Sequence, residues 1–307
     1  MKFALTVLGI SAAAPAFDRH PSAHVLQVDN RYFLIDCGEG TQMRLAQCNI
    51  PAHKINHIFI SHLHGDHIFG LPGLLFSYAL AGRTAPLHLY SPEGLEAMMR
   101  ALLNPGGDLG YPLCFHCLDE KAGTLILEDN LLTVSTVPLH HRIPTLGFVF
   151  REKPRPRNVK PEAIETYGLD IPQIKAAKAG EDIALEEGRI LPNEWLTLAP
   201  PPPRSFAYIS DTAYHEAIVP HIRNASLLYH ETTFCEDMAA QAALTLHSTA
   251  RQAALIARMA GVGMLITGHY SSRYREHSPF VQEAQEVFEN TVAGEEGKIY
   301  EVLAGEG

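Results

Sequence analysis

The chain opens with short apolar stretches separated by polar turn residues. This pattern predicts four strands in the first sixty residues, at 3–8, 23–28, 32–35 and 57–60. Asp29-Asn30 is typical of a hairpin turn between the second and third strands, and Thr41 follows a glycine turn as a predicted helix cap. Helices are predicted later, for example at 94–103 and 249–260. Because strands alternate with helices, the pattern predicts an α/β fold with buried sheets.

Composition fits a globular protein, since 46% of the 307 residues are hydrophobic and 19% are charged. The sequence contains no run of about 18 apolar residues, so we expect no membrane span, and its first residues resemble a strand more than a secretion signal. Five cysteines, an odd number, indicate reduced thiols and a cytoplasmic protein. The net charge of −10 disfavours nucleic-acid binding by the whole surface, so RNA would have to be held by a local basic patch.

One segment, residues 151–198, interrupts the alternation of strands and helices. Its first ten residues contain one acid, Glu152, and five bases: Arg151, Lys153, Arg155, Arg157 and Lys160. Short helices are predicted near 161–167 and 172–178, and a proline run at 200–203 predicts a stiff connection back to the core. The segment is therefore predicted to be a protruding basic insertion. A solvated charged loop is the alternative.

The loop after the fourth predicted strand is Ser-His-Leu-His-Gly-Asp-His and is rich in metal-binding side chains. Imidazole nitrogen and carboxylate oxygen are the ligands that zinc takes at about 2.0–2.2 Å. Four such ligands in so short a span suit two metal ions better than one. His62 and His64 would face one ion, Asp66 and His67 the other, and Gly65 would let the backbone bend. The alternative is a chance cluster in a chain with 17 histidines.

Further metal-competent side chains end other apolar stretches. His140 and His141 follow one such stretch, Asp211 ends a second and His269 ends a third. Open α/β sheets place their sites at strand ends, so these side chains are candidates to complete the ligand set. Asp36 also ends an apolar stretch. It is predicted to hydrogen-bond a metal-ligating histidine, with a purely structural role in the turn as the alternative.

Together these motifs resemble a known family. His62, His64, Asp66 and His67 match the HxHxDH signature of the metallo-β-lactamase fold, and the chain resembles ribonuclease Z within that superfamily. The sequence motifs that support this resemblance lie at residues 8–15, 36–42, 61–75, 210–212, 230–234 and 247–249. The resemblance implies an αββα sandwich of two mixed sheets flanked by helices. It also implies a single domain, 1–307, with residues 151–198 as an inserted basic arm.

The resemblance also implies how the ligands divide between two Zn²⁺ ions. It assigns His62, His64 and His141 to the first ion, Asp66, His67 and His269 to the second, and Asp211 to both. His141 is preferred to His140 because the family's ligand is the histidine that ends a Pro-Leu-x-His motif, which residues 138–141 match. Mn²⁺ or Fe²⁺ in place of zinc remains open, since the same donors accept several metals.

The activity that the resemblance implies is removal of the 3′ trailer from precursor tRNA. A hydroxide held by the metals would attack the phosphodiester and leave a 3′-hydroxyl on the tRNA. Asp66 would accept the water's proton, His247 would act as general acid, and Glu231 would orient His247 and raise its pKa. The alternative for His247 is that it caps the helix that begins near Ser248.

In family terms the basic insertion stands where a flexible arm grips the tRNA elbow. Arg155, Arg157, Lys175 and Lys178 are the candidate phosphate contacts. The sequence departs from the usual arm, because residues 169–175 replace the expected Gly-Pro-rich tip. A homodimer is the family's usual state. An apolar helix near 73–81 is a candidate interface, with packing in the protein core as the alternative.

Two other functions compete with the nuclease. One is a phosphodiesterase or arylsulfatase-like hydrolase of small molecules on the same scaffold, which the acidic net charge and the altered arm favour. The other is a non-enzymatic RNA-binding relative. The complete set of candidate ligands argues against that alternative.

Overall fold

Two seven-stranded mixed sheets form the framework of the protein. The computed structural model describes residues 2–103, 108–119, 121, 123–185 and 188–304. In spatial order the first sheet consists of β18 (Ile299–Glu301), β1 (Phe3–Gly9), β2 (Ala23–Val28), β3 (Arg31–Cys37), β4 (Ile55–Phe59), β5 (Leu87–Ser91) and β6 (Leu113–Cys117). Strands β3 to β6 run parallel to one another, whereas β18, β1, β2 and β3 pair antiparallel.

The second sheet is also mixed. Its spatial order is β17 (Thr291–Ala293), β16 (Leu265–Gly268), β15 (Leu227–Glu231), β14 (Ser205–Ile209), β9 (Leu146–Glu152), β8 (Leu132–Pro138) and β7 (Leu125–Glu128). The strands from β14 to β17 are parallel, and the remaining pairs are antiparallel.

Helices flank the sheets. They are α1 (Thr41–Gln47), α2 (Gly65–Ile68), α3 (Leu71–Leu80), α4 (Leu95–Leu103), α5 (Pro161–Tyr167), α6 (Ile171–Ala179), α7 (Asn193–Leu196), α8 (Val219–Ile222), α9 (Ala239–Thr245), α10 (Ala250–Ala260) and α11 (Ser278–Gln285), with short 3-10 turns at Ala52–Lys54, Glu216–Ile218 and Glu236–Met238. In the described part of the chain, none of these helices is long and apolar enough to cross a membrane.

The two sheets face each other across one hydrophobic core. Phe3, Leu5 and Val7 of β1 belong to the same buried cluster as Phe148 and Phe206 of the second sheet. A second cluster lies between the other face of the first sheet and helices α1, α3 and α4. Successive side chains of a strand point to opposite faces, so a sheet covered on both sides needs nearly continuous apolar strands. This requirement explains the uninterrupted apolar stretches in the sequence.

The predicted α/β fold with two mixed sheets is confirmed, and the four early strands and the helices near 94–103 and 249–260 are present within two residues of the predicted ends. The predicted cap is wrong. Thr41 is the first residue of α1, and Gly40, with a φ of 81°, precedes it as the cap residue. The Thr41 hydroxyl donates to the Gly38 carbonyl at 2.6 Å and therefore caps no helical N–H group.

The insertion folds as a small unit with its own core. Strand β10 (Asn158–Val159) pairs with β13 (Thr197–Leu198), and β11 (Ile183–Ala184) pairs with β12 (Ile190–Leu191). Six residues from these strands and from α5, α6, α7 and their connections form its buried cluster: Ala163, Leu169, Ala177, Ile183, Leu191 and Leu196. The alternative prediction, that this segment is a solvated charged loop, is therefore wrong. The first two residues of the 151–198 segment also belong to the second sheet, because β9 pairs with β8 as far as Glu152 and with β14 as far as Arg151.

Candidate metal centre

Seven side chains predicted to bind metal meet where strands of both sheets end. His62 and His64 lie in the loop after β4, Asp66 and His67 in α2, and His141, Asp211 and His269 follow β8, β14 and β16, respectively. Each sequence-predicted ligand is therefore brought to one place by the end of an apolar strand. His140 is exposed and lies outside the metal-competent groups found among the described residues.

The first group consists of His62, His64, His141 and Asp211. The His62 Nε2 atom lies 3.0 Å from His64 Nδ1 and 3.5 Å from Asp211 Oδ2. His141 Nε2 lies 3.8 Å from the same carboxylate oxygen. A tetrahedral ion with bonds of about 2.0–2.2 Å separates its ligand atoms by about 3.3–3.6 Å. One of the three distances lies in this range and the other two lie within about 0.3 Å of it, so the side chains could converge on one ion after small shifts.

The second group consists of Asp66, His67 and His269. Asp66 Oδ2 lies 3.5 Å from His67 Nε2 and 3.4 Å from His269 Nε2. The other oxygen of Asp211, Oδ1, lies 3.4 Å from His67 Nε2 and 3.3 Å from His269 Nε2. The two oxygens of Asp211 thus face different groups, which is the geometry of a bridging carboxylate.

The residues of this centre fit divalent cations. Among the described residues, three of its buried atoms have no hydrogen-bond partner: His67 Nε2, His141 Nε2 and Asp211 Oδ1. An unpaired buried polar atom costs about 1–3 kcal/mol, so these atoms call for a ligand of their own. Burial alone would lower the pKa of His67, but the carboxylates of Asp66, Asp211 and Asp36 raise it well above its ordinary value. The centre therefore favours positive charge at the point where the unpaired atoms converge.

Asp36 forms a hydrogen bond with His67, one of the candidate ligands. Its Oδ2 atom accepts hydrogen bonds from His67 Nδ1 at 2.8 Å and from the Tyr208 hydroxyl at 2.7 Å, and its Oδ1 accepts the Ser61 N–H at 2.7 Å. The predicted contact with a candidate ligand is thus present. Asp36 has a φ of 55°, a conformation that Asn and Asp tolerate better than other side chains with a Cβ. This backbone turn aims the carboxylate into the centre.

Replacing Asp36 with Asn should weaken metal binding by about 10–100-fold, because the amide cannot match the carboxylate as an acceptor for His67. Asn keeps the shape and tolerates the positive φ, so the backbone should be retained. Competition with a chelator measures the affinity. The exposed Asp119→Asn variant is the matched control. Equal metal affinity in Asp36→Asn and the unmodified protein would show that the contact is structural only.

Glu231, at the end of β15, is fully buried and organises the other side of the centre. It accepts the backbone N–H groups of Thr212 at 3.1 Å, Thr233 at 2.9 Å and Ser248 at 2.9 Å. His247 Nδ1 lies 3.0 Å from the same carboxylate. Because Nδ1 is engaged by Glu231, the Nε2 atom of His247 is the one available to the cavity.

The charge of Glu231 sets the protonation of His247. Burial lowers the pKa of His247, but the adjacent Glu231 carboxylate and its hydrogen bond outweigh burial and raise the pKa to about 9. Burial would raise the pKa of Glu231, yet His247 holds it below its ordinary value. His247 does not cap the following helix. Thr249 does so, by accepting the Gln252 N–H in a reciprocal capping box.

Two supports of the centre were not predicted from the sequence. The Thr233 hydroxyl donates to Glu231 at 2.7 Å and lies 2.9 Å from His269 Nδ1. The Leu246 carbonyl accepts a hydrogen bond from His141 Nδ1 at 2.9 Å. Thr233 lies within the motif at residues 230–234, but the residue type alone does not indicate these contacts. Leu246 contributes only its backbone carbonyl to this contact, so its residue type gives no indication of it.

A cavity of about 730 Å³ opens above the centre. Besides candidate ligands and His247, its walls include Phe69, Phe234, Arg142 and Arg273. A cavity of this size accommodates a nucleotide-sized group.

The four predicted phosphate contacts lie together in the insertion and line one shallow groove, apart from the metal centre. Two of them also serve the fold. Arg155 Nη2 lies 3.2 Å from Glu152 Oε1, and Arg157 Nε donates to Thr197 Oγ1 at 2.6 Å. Lys175 and Lys178, on α6, are exposed.

Known proteins resemble the chain over nearly its whole length. Ribonuclease Z from Bacteroides fragilis is 43% identical over 296 residues, covering 96% of this chain and 97% of that protein. Ribonuclease Z from Porphyromonas gingivalis is 42% identical over 295 residues, with the same coverage. The crystal structure of human tRNase Z, short form, matches with a TM-score of 0.72 at 26% identity, covering 98% of this chain and 99% of that one. A family model described as "Anti-Pycsar protein Apyc1" matches residues 3–108.

The sandwich of two mixed sheets and the paired histidine and aspartate groups define a metallo-β-lactamase-fold protein with a centre suited to divalent metal. The metallo-β-lactamase fold protein YhfI from Bacillus subtilis shares this fold, with a TM-score of 0.71 at 19% identity. The ribonuclease Z relatives match nearly the whole chain, whereas the Apyc1 model matches about a third of it. The family assignment therefore follows the full-length relatives. The chain belongs to the ribonuclease Z family.

Proposed function

We propose that this chain is a metal-dependent endoribonuclease that hydrolyses the phosphodiester at the 3′ end of precursor tRNA. It removes the trailer and leaves a 3′-hydroxyl on the tRNA. The observation that carries this proposal is the Asp211 carboxylate shared between two ligand groups, in a chain 43% identical to a ribonuclease Z over nearly its full length.

In this proposal His62, His64 and His141 would hold one Zn²⁺, and Asp66, His67 and His269 would hold a second. Asp211 would serve as a ligand in both groups. Bound zinc supplies Lewis acidity, which lowers the pKa of a water and neutralises charge on the phosphate. The nitrogen and oxygen donors support zinc, although Mn²⁺ and Fe²⁺ accept the same set. Elemental analysis of the purified protein measures both the identity and the number of ions per chain.

The protein's own residues position and move protons. Asp66 accepts the proton of the attacking water, and its Oδ2 is held by the Ala13 N–H at 2.7 Å. His247 donates a proton from Nε2 to the departing 3′-oxygen of the tRNA. Glu231 keeps His247 protonated and fixes its ring, as the distance of 3.0 Å supports.

We propose that residues 1–307 are one domain and that residues 151–198 serve as an arm that binds tRNA. The separate small core of the insertion supports an arm with a defined shape. Arg155, Arg157, Lys175 and Lys178 line one groove, where they supply the local positive charge that an acidic protein needs to hold RNA.

Replacing Lys175 and Lys178 together with Ala should raise the KM for precursor tRNA several-fold and reduce the dependence of log KM on log salt by about one per lost phosphate contact. Hydrolysis of bis(p-nitrophenyl) phosphate should not change. Both lysines are exposed on α6, so the fold should be retained. Deleting residues 153–180 is a poorer test, because it removes half of the arm's core.

The charge-matched control replaces Lys2 and Lys121, exposed lysines outside the arm, with Ala. If both double variants raise the KM equally, the effect is one of net charge and the arm has no special role.

We also propose a cytoplasmic homodimer. All five cysteines are free thiols, which supports a reducing compartment. An apolar groove between α1 and α3, with the 60% exposed Met43 in its wall, supports an interface at the surface suggested from the sequence. Light scattering at several protein concentrations measures the oligomeric state.

The deciding experiment is cleavage of a 3′-extended tRNA with end mapping of the products. We expect one cut that leaves a 3′-hydroxyl on the tRNA, and loss of cleavage after chelation. A small-molecule phosphodiesterase or arylsulfatase-like enzyme would hydrolyse bis(p-nitrophenyl) phosphate or an aryl sulfate but leave the tRNA intact. A non-enzymatic relative would act on none of these substrates.

A further inference from the structure

An exposed phenyl ring stands at the mouth of the metal cavity. Phe69 immediately follows α2, the helix that carries Asp66 and His67, and 63% of its surface is exposed. It lines the same cavity as His64, Asp66 and His247. Single exposed apolar side chains are common on protein surfaces, but this one forms part of the wall of the metal cavity and can therefore contact a group that enters it.

The ring of Phe69 packs against Gly65. A Cβ atom at Gly65 would overlap the Cδ2, Cε2 and Cζ atoms of Phe69, so the ring packs directly on the glycine backbone. Gly65 is not among the described glycines with a positive φ, so the backbone conformation alone does not require glycine at this position. The missing side chain instead makes room for the ring between His64 and Asp66, one residue from each ligand group.

Phe69 and His247 belong to opposite halves of the sandwich. Phe69 follows the ligand loop of the first sheet, whereas His247 is bound by Glu231 from the second sheet. With His247 donating to the 3′-oxygen of the tRNA, the tRNA lies on the His247 side of the scissile phosphate. The trailer then continues toward the side of the first sheet, where Phe69 stands.

We propose that Phe69 is a stacking platform for the base of the first trailer nucleotide. This inference rests on the proposed nuclease function. A phenyl face stacks on any base, which suits a trailer whose sequence is not fixed. Arg142 and Arg273 line the same cavity and place positive charge where the flanking phosphates would lie.

The test compares Phe69→Leu with Phe69→Trp. Leucine keeps apolar bulk over Gly65 but has no aromatic face, whereas tryptophan keeps the face. We expect Phe69→Leu to lower kcat/KM for 3′-extended tRNA by about 10-fold and Phe69→Trp to remain near the unmodified protein. Neither variant should change metal content. Leu303→Ala, at a residue also 63% exposed but outside the cavity lining, is the control.

A substrate with an abasic first trailer nucleotide identifies the partner. On that substrate the unmodified protein and Phe69→Leu should cleave equally, because there is no base to stack. On a substrate abasic at the last tRNA nucleotide, the 10-fold difference should persist. Persistence of the difference on the first substrate, or its disappearance on the second alone, overturns the assignment. Loss of metal from Phe69→Leu would instead give Phe69 a structural role.

The outcome is separable from that of the proposed function. If the unmodified protein does not cut 3′-extended tRNA, the nuclease proposal fails whatever Phe69 does. If it cuts and Phe69→Leu cuts equally well, only the stacking platform is lost.

Discussion

Replacing Asp211 with Ala should remove metal from both ligand groups and lower kcat/KM for precursor tRNA by at least ~1000-fold. Asp211 Oδ2 faces His62 and His141, and Oδ1 faces His67 and His269. No other carboxylate among the described residues belongs to the group that contains His62, His64 and His141. Metal assistance contributes several kcal/mol to the transition state, and each 1.36 kcal/mol is tenfold in rate.

Elemental analysis and steady-state kinetics measure the two effects on the same preparation. Hydrolysis of bis(p-nitrophenyl) phosphate should fall in parallel, because both substrates depend on the same centre. Asp119→Ala, at an exposed aspartate, controls for loss of a negative charge. An Asp211→Ala protein that keeps two ions per chain and cleaves normally would exclude the bridging role. Retention of one ion would show that Asp211 serves a single group.

The positions of the ligands could be foreseen because each one ends an apolar stretch. A strand buried on both faces must be apolar, so a histidine or aspartate at its end stands out. His141, Asp211 and His269 were found in this way, and the structure brings them to the histidine-rich loop. The choice between His140 and His141 needed the family pattern, because periodicity does not distinguish adjacent residues beyond the end of a strand.

The arrangement around the ligands could not be foreseen to the same extent. Tyr208 lies inside β14, where a buried aromatic residue is indistinguishable from ordinary core, yet its hydroxyl donates to Asp36. The Leu246 carbonyl that holds His141 belongs to a residue with a φ of 57° at the end of α9. Such contacts depend on the tertiary path of the backbone rather than on residue type.

The basic residues at the start of the insertion show that sequence alone does not distinguish cations used within the fold from cations exposed to a ligand. The sequence indicates positive charge, but it does not say which cations are used inside the protein. Arg151 donates to the His221 carbonyl, and Lys160 donates to the carbonyls of Glu194 and Trp195. The exposed lysines lie further along, on α6, beyond the densest run of charge.

His247 offers the second large effect. Replacing it with Ala should lower kcat for precursor tRNA by about 10²–10⁴-fold, the usual contribution of a general acid. The departing 3′-oxygen is a poor leaving group that needs a proton. The p-nitrophenolate of the small substrate is a good one that does not. Hydrolysis of bis(p-nitrophenyl) phosphate should therefore change little, and the metal content should equal that of the unmodified protein.

The pH dependence of kcat tests the role of His247 as general acid independently. The acid form of His247 is the reactive one. Burial lowers its pKa, but Glu231, with smaller contributions from Asp211 and Asp66, raises the pKa to about 9. The kcat of the unmodified protein on precursor tRNA should therefore fall as pH rises through that pKa, and this decline should be absent from His247→Ala. The exposed His140→Ala variant is the matched control and should keep both the rate and the profile. Equal losses on both substrates, or loss of metal, would mean that His247 supports the centre and does not protonate the leaving oxygen.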